Sequence, residues 1–521
     1  MQKIFNDTRL LDKAARDNYG LTEDIMMENA AAALQEQGRA HFFSPDGKYI
    51  NRPTVLILAG GGNNGADGYA LARRIVCHDL CVTVCQVYQP KSAMCVTQAE
   101  RAKKAGVIFI NPYDLDDFIE RASFDLTVVY DCIFGSGFHG TLDALAAAVI
   151  QSANKIDGAY KIACDIPTGV SNGDCSQDQK AAAFVADETV TMGALKLALY
   201  TDAAKDACGQ IVVADLGISR SNFESAASTV CAPTNDFGIT QDSSQAQDCA
   251  VPCALLLEEA DARLPLRDKK QNSNKGTYGH TAVFAGTKPG AAVIAGHAAL
   301  KFGSGLVTLV AQAAQKIQFG NVSDFELMVS ETVPQNATAL VVGPGLGRAT
   351  DSAVFDILRN TERPLVLDAD IFYWPQIKEL LAAKKNVVLT PHPKEFAELL
   401  KNVGLGNYST QQVVAGRLEL AKEFCAAFPG ATLLLKGANI LIASLLDGER
   451  APRVYINPLG TSALAKGGSG DVLAGMTGAL LAQGYTPLEA AVTASIKHAS
   501  ASHAFDGKDY ALTPFELIRE I

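Results

Sequence analysis

The second half of the chain is organised around one glycine-rich stretch, Gly467-Gly468-Ser469-Gly470-Asp471-Val472-Leu473-Ala474-Gly475. The apolar pattern of this region predicts a helix over 471–483. Free amides and the helix dipole favour an anion at a helix start, and glycines let the backbone approach a phosphate closely. A carboxylate placed there would repel the phosphate. Asp471 therefore indicates a general base for a hydroxyl that attacks the phosphate, and a plain N-cap is the alternative.

Length and composition indicate two or more ordinary globular domains. The 521 residues exceed what one hydrophobic core usually supports, and 48% apolar with 19% charged residues is far from disorder. A formal net charge of −11 argues against nucleic acid or an anionic membrane as a partner. Residues 1–34 lack the pattern of a signal peptide, and no apolar run approaches the roughly 20 residues that span a bilayer. We therefore expect a cytoplasmic protein.

The twelve cysteines show no spacing that is typical of a metal site or of paired disulfides. Cys77, Cys81 and Cys85 form the most regular group, but no Cys-x-x-Cys pattern occurs. We interpret the cysteines as small apolar side chains in a reducing compartment.

Short apolar runs alternate with helical stretches in both halves, which predicts two α/β domains with mainly parallel sheets. The Asp/Ser/Gln-rich segment 235–247 marks the linker. Predicted strands are 54–59, 82–87, 126–130, 162–165, 189–192 and 211–214, then 281–285, 306–311, 340–342, 365–367, 387–390 and 433–436. Predicted helices include 69–78, 142–156, 471–483 and 488–503.

Three strand ends in the first half carry glycines beside side chains that offer oxygen atoms. They are 60–68, 130–137 and 164–169. Because the carboxyl ends of parallel strands share one sheet edge, we expect Asn64, Asp131 and Thr168 to converge on a hard cation. Asp165 would remain free for proton transfer.

These segments resemble the three signatures of the NAD(P)H-hydrate epimerase family over residues 1–220. The resemblance implies a Rossmann-like, three-layer α/β/α fold that interconverts the R and S epimers of nicotinamide nucleotide hydrated at C6. It implies that Asn64, Asp131 and Thr168 ligate potassium and that Asp165 moves the proton. The residues implied to hold the substrate are Asn63, Asn64, Gly65, Ala66, Asp67, Gly135, Ser136, Gly137, Phe138, His139, Gly140, Thr141 and Asp165. Ala66 and Thr168 replace a usual glycine and a usual serine.

The second half repeats the combination of strand ends with glycines and polar side chains. The relevant segments are 275–280, 343–347, 390–395 and 436–440. Prolines on both sides of His392 stiffen its loop, so the imidazole is either presented to a ligand or simply solvated. No Gly-x-x-x-x-Gly-Lys-Ser/Thr pattern occurs, which argues against a P-loop enzyme.

The order of these segments resembles the ribokinase-like superfamily and, within it, the ADP- or ATP-dependent NAD(P)H-hydrate dehydratases, over about 262–521. The resemblance implies that Asp471 takes a proton from the C6 hydroxyl, which attacks the terminal phosphate of the nucleotide. The implied hydrate pocket is Ala291, Gly345, His392 and Asp471, and the implied nucleotide site is Lys436, Gly437, Ala438, Asn439, Ile440 and Gly470. Thr461 and Lys466 stand where the family usually has asparagine and a small residue.

Together the two resemblances imply a bifunctional repair enzyme in which residues 221–261 connect the halves. Its expected small-molecule partners are NADH and NADPH hydrates and ADP, with ATP as the alternative, and magnesium is expected with the nucleotide. A homo-oligomer is expected. Two alternatives stay open: a vitamin or sugar kinase fused to a non-catalytic Rossmann-like domain, and a first half that serves only for binding or scaffolding.

Overall fold

The structure, a computed structural model, describes residues 1–42, 53–78, 80–122, 126–138, 140–170, 183–225, 251–267, 272–311 and 326–521. It divides into two compact units, residues 2–253 and residues 254–521 together with Met1. This division falls inside the segment 221–261. The segment 235–247, interpreted as the linker, lies outside the described residues.

The unit of residues 2–253 contains a parallel sheet. Its strands are β1 Gln2–Phe5, β2 Thr54–Ala59, β3 Cys81–Gln86, β4 Ile108–Ile110, β5 Leu126–Cys132, β6 Tyr160–Cys164, β7 Glu188–Met192, β8 Leu195–Lys196 and β9 Gln210–Ala214. Its helices are α1 Arg9–Tyr19, α2 Glu23–Arg39, α3 Asn63–Val76, α4 Ala93–Lys104, α5 Leu115–Ala122, α6 Ala144–Asn154 and α7 Arg220–Ser225. The strand order is β4-β3-β2-β5-β6-β7-β9, and β1 pairs with β8. Central β2 is buried at every position, as expected for a strand with helices on both faces of the sheet.

The unit of residues 254–521 contains a larger, mixed sheet. Its strands are β10 Ala254–Leu256, β11 His280–Phe284, β12 Leu306–Val310, β13 Met328–Ser330, β14 Ala339–Val342, β15 Leu365–Leu367, β16 Val387–Leu389, β17 Ala431–Leu435, β18 Ile440–Ser444 and β19 Arg453–Asn457. Its helices are α8 Pro289–Lys301, α9 Ser352–Asn360, α10 Ile377–Ala383, α11 Pro393–Val403, α12 Thr410–Ala415, α13 Arg417–Ala427, α14 Ser469–Ala482, α15 Pro487–Ala504 and α16 Pro514–Glu520. The order is β13-β12-β11-β14-β15-β16-β17-β18-β19-β10, and only the pairs β17–β18 and β18–β19 are antiparallel among the described strands.

Helix α14 lies at the centre of this second unit, and two glycines explain its close approach. A Cβ atom at Gly475 would lie 2.1 Å from the carbonyl oxygen of Ala295 on α8. A Cβ at Gly478 would lie 2.3 Å from Val341 Cγ2 on β14. The helix therefore packs against its neighbours at backbone distance, which fixes the position of its first turn.

The predicted α/β class is confirmed in both units, and the ends of the predicted strands differ from those observed by no more than two residues. The prediction of a helix from Tyr69 was wrong at its start, because α3 already begins at Asn63. Gly65 and Gly68 lie inside α3 and not in a turn before it. They let the helix pack closely, since a Cβ at Gly68 would lie 2.8 Å from Cys132 Cβ. Among the described residues, no helix combines the length and the apolar character needed to cross a membrane.

The interpretation of the cysteines as small apolar side chains fits only one of Cys77, Cys81 and Cys85. Cys85 is buried, but Cys77 and Cys81 are exposed, because they lie at the end of α3 and the start of β3. The nine cysteines of the described residues are all free thiols.

Candidate active sites

The first candidate site lies at the carboxyl edge of the first sheet, where the backbone leaves β2. A Cβ at Gly60 would lie 2.0 Å from the carbonyl oxygen of Ile133, and one at Gly65 would lie 2.0 Å from that of Gly60. These contacts admit only glycine. They place Asn63 to Asp67 on the first turns of α3, at its N-terminus, with Gly65 and Ala66 buried.

Asp131 and Thr168 form a buried hydrogen-bonded pair at the ends of adjacent strands. Asp131 is 0% exposed and accepts bonds from the Thr168 backbone N–H at 2.7 Å and from Thr168 Oγ1 at 2.8 Å. Thr168 Oγ1 in turn accepts the backbone N–H of Phe134 at 3.1 Å. Burial raises the pKa of Asp131 to about 6, although the bonds from Thr168 and Ile133 oppose this rise. This is a carboxylate that a cation would stabilise further.

Asp165 has an unusual backbone and a buried cationic partner. Its φ is 68°, in the left-handed region that few residues other than glycine adopt. Its carboxylate accepts the backbone N–H of Ser136 at 2.9 Å and that of Met192 at 3.2 Å, and it lies 2.7 Å from Lys196 Nζ. Burial alone would raise the pKa of Asp165, but the Lys196 ammonium and these hydrogen bonds hold it below its ordinary value.

Lys196 is a residue that sequence reasoning missed. It is 2% exposed, and its ammonium also donates to Thr191 Oγ1 at 3.0 Å and to the carbonyl oxygen of Met192 at 2.8 Å. A lysine inside the apolar run 192–200 was the available signal, since a lysine is almost never fully buried unless it is paired.

Asn64 reaches the same place from α3. A Cβ at Gly135 would lie 2.8 Å from Asp165 Oδ2 and 3.1 Å from Asn64 Oδ1, so both side chains converge on this glycine. Asn64 Nδ2 is buried and has no hydrogen-bond partner among the described residues. The strand ends thus bring Asn64, Asp131, Asp165 and Thr168 to one edge.

Four of the remaining predicted residues of this site lie at its surface. Ser136, Gly137, Gly140 and Thr141 are exposed, and His139 lies outside the described residues. The ring of Phe138 stacks on that of Phe134, with 4.4 Å between their centroids.

Burial raises the pKa of Asp67 well above its ordinary value, and the negative charge of Asp165 adds to the rise.

The second candidate site surrounds the start of α14. The N-cap is Gly468, with a φ of 93°, and a Cβ there would lie 2.5 Å from Pro514 Cγ. The alternative that Asp471 is the N-cap is therefore wrong: it is the third residue of the helix, which begins at Ser469. Burial raises the pKa of Asp471 to about 7, and the charge of Asp368 contributes to this shift while Lys436 opposes it.

Lys436 supplies the cation of this site. Its Nζ donates to Asp368 Oδ1 at 3.0 Å, lies 3.8 Å from Glu395 Oε2, and would lie 3.2 Å from a Cβ at Gly470. Burial lowers the pKa of Lys436, but the charges of Asp368 and Glu395 outweigh it and raise the pKa above its ordinary value. Asp368, 1% exposed after β15, was missed because its partner Lys436 is 68 residues away in the sequence.

His392 is the N-cap of α11, and its side chain is 45% exposed. Its Nδ1 accepts the backbone N–H groups of Lys394 and Glu395 at 3.2 and 3.3 Å, and Glu395 accepts the His392 N–H at 2.9 Å. Partial burial lowers the pKa of His392, and the positive charge of Lys436 lowers it further. The imidazole is therefore neutral, with Nδ1 as the acceptor and the hydrogen on Nε2. Nε2 lies 3.2 Å from Glu395 Oε1.

Gly345 and Ala291 are joined through the backbone of Lys288. A Cβ at Gly345 would lie 2.2 Å from the Lys288 carbonyl oxygen, which accepts the Ala291 N–H at 3.3 Å. Ile294, one turn further along α8, lies 3.2 Å from the Cβ position of Gly468. Helix α8 thus lies next to both Gly345 and the glycine-rich loop that precedes α14.

Lys436 to Asn439 form the turn of the antiparallel hairpin β17–β18, and Ile440 begins β18. Gly437 and Ala438 are exposed, whereas Asn439 and Ile440 are buried.

Thr461 Oγ1 donates to Ser502 Oγ at 2.9 Å. Lys466 Nζ donates to the carbonyl oxygen of Tyr510.

Comparison with known proteins covers both units. A family model described as NAD(P)H-hydrate dehydratase matches residues 281–521, and one described as YjeF-related protein N-terminus matches residues 23–198. The chain is 41% identical to the bifunctional NAD(P)H-hydrate repair enzyme of Helicobacter pylori, over 100% of this chain and 99% of that protein. It is 29% identical to the enzyme of the same name from Escherichia coli, over 95% and 88% of the two chains.

Among solved structures, the ADP/ATP-dependent NAD(P)H-hydrate dehydratase from Bacillus subtilis, co-crystallised with ATP and Mg²⁺, is 28% identical to this chain. The match covers 51% of this chain and 96% of that one, with a TM-score of 0.43.

Proposed function

The chain belongs to the family of bifunctional NAD(P)H-hydrate repair enzymes, and from that premise we propose that its first unit epimerises NAD(P)H hydrate and its second unit dehydrates the S epimer to NAD(P)H. The observation that carries the proposal is the half-buried Asp471 at the start of α14, with its pKa raised by burial to about 7. A carboxyl group that titrates near neutrality is suited to take a proton from an alcohol. Because the family covers both halves of the chain, we do not propose the kinase or scaffolding alternatives.

In the first unit, Asp165 moves the proton at the hydrated C6 centre. Its carboxylate lies beside Gly135 and the Ser136 N–H, where the nucleotide would approach the sheet edge. The start of α3, from Asn63 to Asp67, offers amides and a helix dipole to the phosphates of the substrate. The segment from Gly135 to Thr141, in which Ser136, Gly137, Gly140 and Thr141 are exposed, would cover the other side of the substrate.

Potassium fits the residues Asn64, Asp131 and Thr168. They offer an amide, a carboxylate and a hydroxyl oxygen, the ligand types of hard cations, and the Asp131 carboxylate is fully buried, where a cation would favour its ionised form. When bound, the ion would supply positive charge that neutralises Asp131 and steadies the strand ends beside Asp165. The chain's own part is to hold these oxygens through the bonds between Asp131 and Thr168.

In the second unit, Asp471 takes the proton from the C6 hydroxyl, and the hydroxyl oxygen forms a bond to the terminal phosphorus of ADP while the bond to AMP breaks. The C6–O bond then breaks, phosphate leaves, and loss of the C5 proton restores the ring double bond. The amides at the start of α14 and the Lys436 ammonium, which lies beside Gly470, stabilise the charge on the phosphoryl group. His392, Ala291 and Gly345 would line the hydrate pocket.

We propose ADP as the co-substrate, with ATP as the alternative, held by the turn from Lys436 to Ile440 and by Gly470. Magnesium would arrive on the nucleotide phosphates, since it usually keeps several waters and needs few protein carboxylates.

The test supplies mixed R and S hydrate with ADP, ATP or no nucleotide and follows the return of reduced nicotinamide absorbance together with phosphate release. The wild-type chain should convert both epimers, with one phosphate per nicotinamide restored. Asp165→Asn should convert only the S fraction, and Asp471→Asn should convert neither. Full conversion without phosphate release would overturn the proposal.

A further inference from the structure

A buried imidazole lies directly behind the glycine-rich loop. His498, on α15, is 4% exposed, and its Nε2 lies 2.9 Å from the carbonyl oxygen of Ser469 and 3.2 Å from Ser469 Oγ. Ser469 is the first residue of α14 and immediately precedes Gly470 and Asp471. Nδ1 of His498 has no hydrogen-bond partner among the described residues.

This contact determines the tautomer of the ring. A carbonyl oxygen only accepts hydrogen bonds, so Nε2 must carry the hydrogen that it donates to Ser469. Burial lowers the pKa of His498 to about 4, although the bond to Ser469 favours the charged form. The imidazole is therefore neutral over the range in which Asp471 titrates, and it adds no second cation to the one that Lys436 supplies.

The Ser469 carbonyl and the Gly470 N–H belong to the same peptide group. Hydrogen bonds in a chain polarise one another, so a donor on this carbonyl strengthens the N–H on the other side of the amide. The same bond fixes the plane of the peptide group, and hence the direction of an N–H that has no partner within the helix. His498 thus contacts the peptide group whose N–H lies in the first turn of α14, where a helix N-terminus favours an anion.

We propose that His498 is a positioning residue for phosphoryl transfer: its Nε2–H holds the Ser469 carbonyl and thereby orients and strengthens the Gly470 amide toward the terminal phosphate. The inference rests on the proposed function of Gly470 and Asp471. It predicts an effect on the terminal phosphate of ADP, which AMP lacks.

The experiment compares His498→Gln and His498→Leu in the full chain. Glutamine keeps an N–H donor at about the reach of Nε2, whereas leucine keeps much of the volume and removes the donor. The leucine variant should lose up to about 100-fold in dehydratase kcat, and its affinity for ADP should fall more than its affinity for AMP. The glutamine variant should retain most of the rate and the preference for ADP. Ser469→Ala removes the hydroxyl and leaves the carbonyl, so it separates the two contacts of Nε2: the ratio of ADP to AMP affinity should persist in this variant if the carbonyl contact carries the effect.

Three results would overturn the inference. The first is a leucine variant as fast as wild type. The second is an equal loss of ADP and AMP affinity in a leucine variant that unfolds at the wild-type temperature. The third is an equal loss in the glutamine and leucine variants. If the leucine variant does not fold, His498→Asn replaces it, because its amide is too short to reach Ser469. If the wild-type chain does not dehydrate the hydrate, the proposed function fails, and the preference for ADP over AMP still tests His498.

Discussion

The two aspartates proposed to move protons lie in opposite electrostatic surroundings. Asp165 is 7% exposed and lies 2.7 Å from the Lys196 ammonium, so its pKa stays below the ordinary value in spite of burial. Asp471 is half-buried near the carboxylates of Asp368 and Glu395, and its pKa rises to about 7. The same side chain at the same kind of sheet edge is thus held ionised in one unit and poised to titrate in the other, because different neighbours surround it.

The largest effect is expected from Asp471→Asn, which removes the aspartate that titrates near neutrality. It removes the base while keeping the shape of the side chain, so dehydratase kcat should fall about 10²–10⁴-fold. Epimerase activity, measured separately by the exchange of R and S hydrate, should stay unchanged and serves as the control. A dehydratase rate within about twofold of wild type would contradict the assignment.

Lys196→Met tests the ion pair between Lys196 and Asp165 in the first unit. It leaves the Asp165 carboxylate buried without its cation, which should cost the first unit about 3–5 kcal/mol of unfolding free energy in chemical denaturation. Because the pKa of Asp165 is lowered in the folded protein, the stabilisation is present above the ordinary carboxyl pKa and disappears as the pH falls through the lowered value.

The double variant Lys196→Met, Asp165→Asn is the matched control for this ion pair. It removes both charges and should recover most of the lost stability. Equal stabilities of the wild type and the single variant at neutral pH would show that the pair does not stabilise the fold.

The pH dependence of the two activities should separate them within one sample. Dehydratase rate should fall as the pH drops below about 7, because Asp471 must be ionised to accept a proton. Epimerase rate should persist to lower pH, because Asp165 stays ionised. Asp368→Asn removes a negative charge that raises the pKa of Asp471, so the acid limb of the dehydratase profile should move to lower pH. An unmoved acid limb would mean that Asp471 does not set it.

Lys466→Ala should have the smallest effect. The ammonium of Lys466 already donates to the Tyr510 carbonyl oxygen, so we expect it to contribute little to nucleotide binding. The KM for ADP should change by less than about threefold, equivalent to less than about 1 kcal/mol. Lys436→Ala is the contrasting variant, because Lys436 lies beside Gly470, and its KM should rise much further.

The sequence predicts the parts of both sites that depend on local pattern. Buried strands such as β2 read as apolar runs, and the glycine-rich ends of strands mark the sheet edge. The start of α3 was misplaced, because Gly65 and Gly68 suggest a turn until their close contacts with Gly60 and Cys132 are known. Short strands such as β4 and β13 carry too few residues for a periodic signal.

Partners that meet across long sequence separations could not be predicted. Lys196 lies 31 residues from Asp165, and His498 lies 29 residues from Ser469. A buried lysine or histidine is visible in a sequence only as a polar residue in an apolar run, and nothing in that run names the carboxylate or carbonyl it will meet. The electrostatic contrast between the two aspartates was therefore hidden as well.

The hairpin β17–β18 has a consequence for insertions and deletions. Leu435 pairs with Leu441 in an antiparallel ladder, and the turn between the strands carries Lys436. Side chains alternate between the faces of a strand, so a one-residue change in length that slips this ladder would turn the lysine away from Asp368. We therefore expect a change in the length of this turn to weaken nucleotide binding as the Lys436→Ala substitution does, even when Lys436 itself is kept.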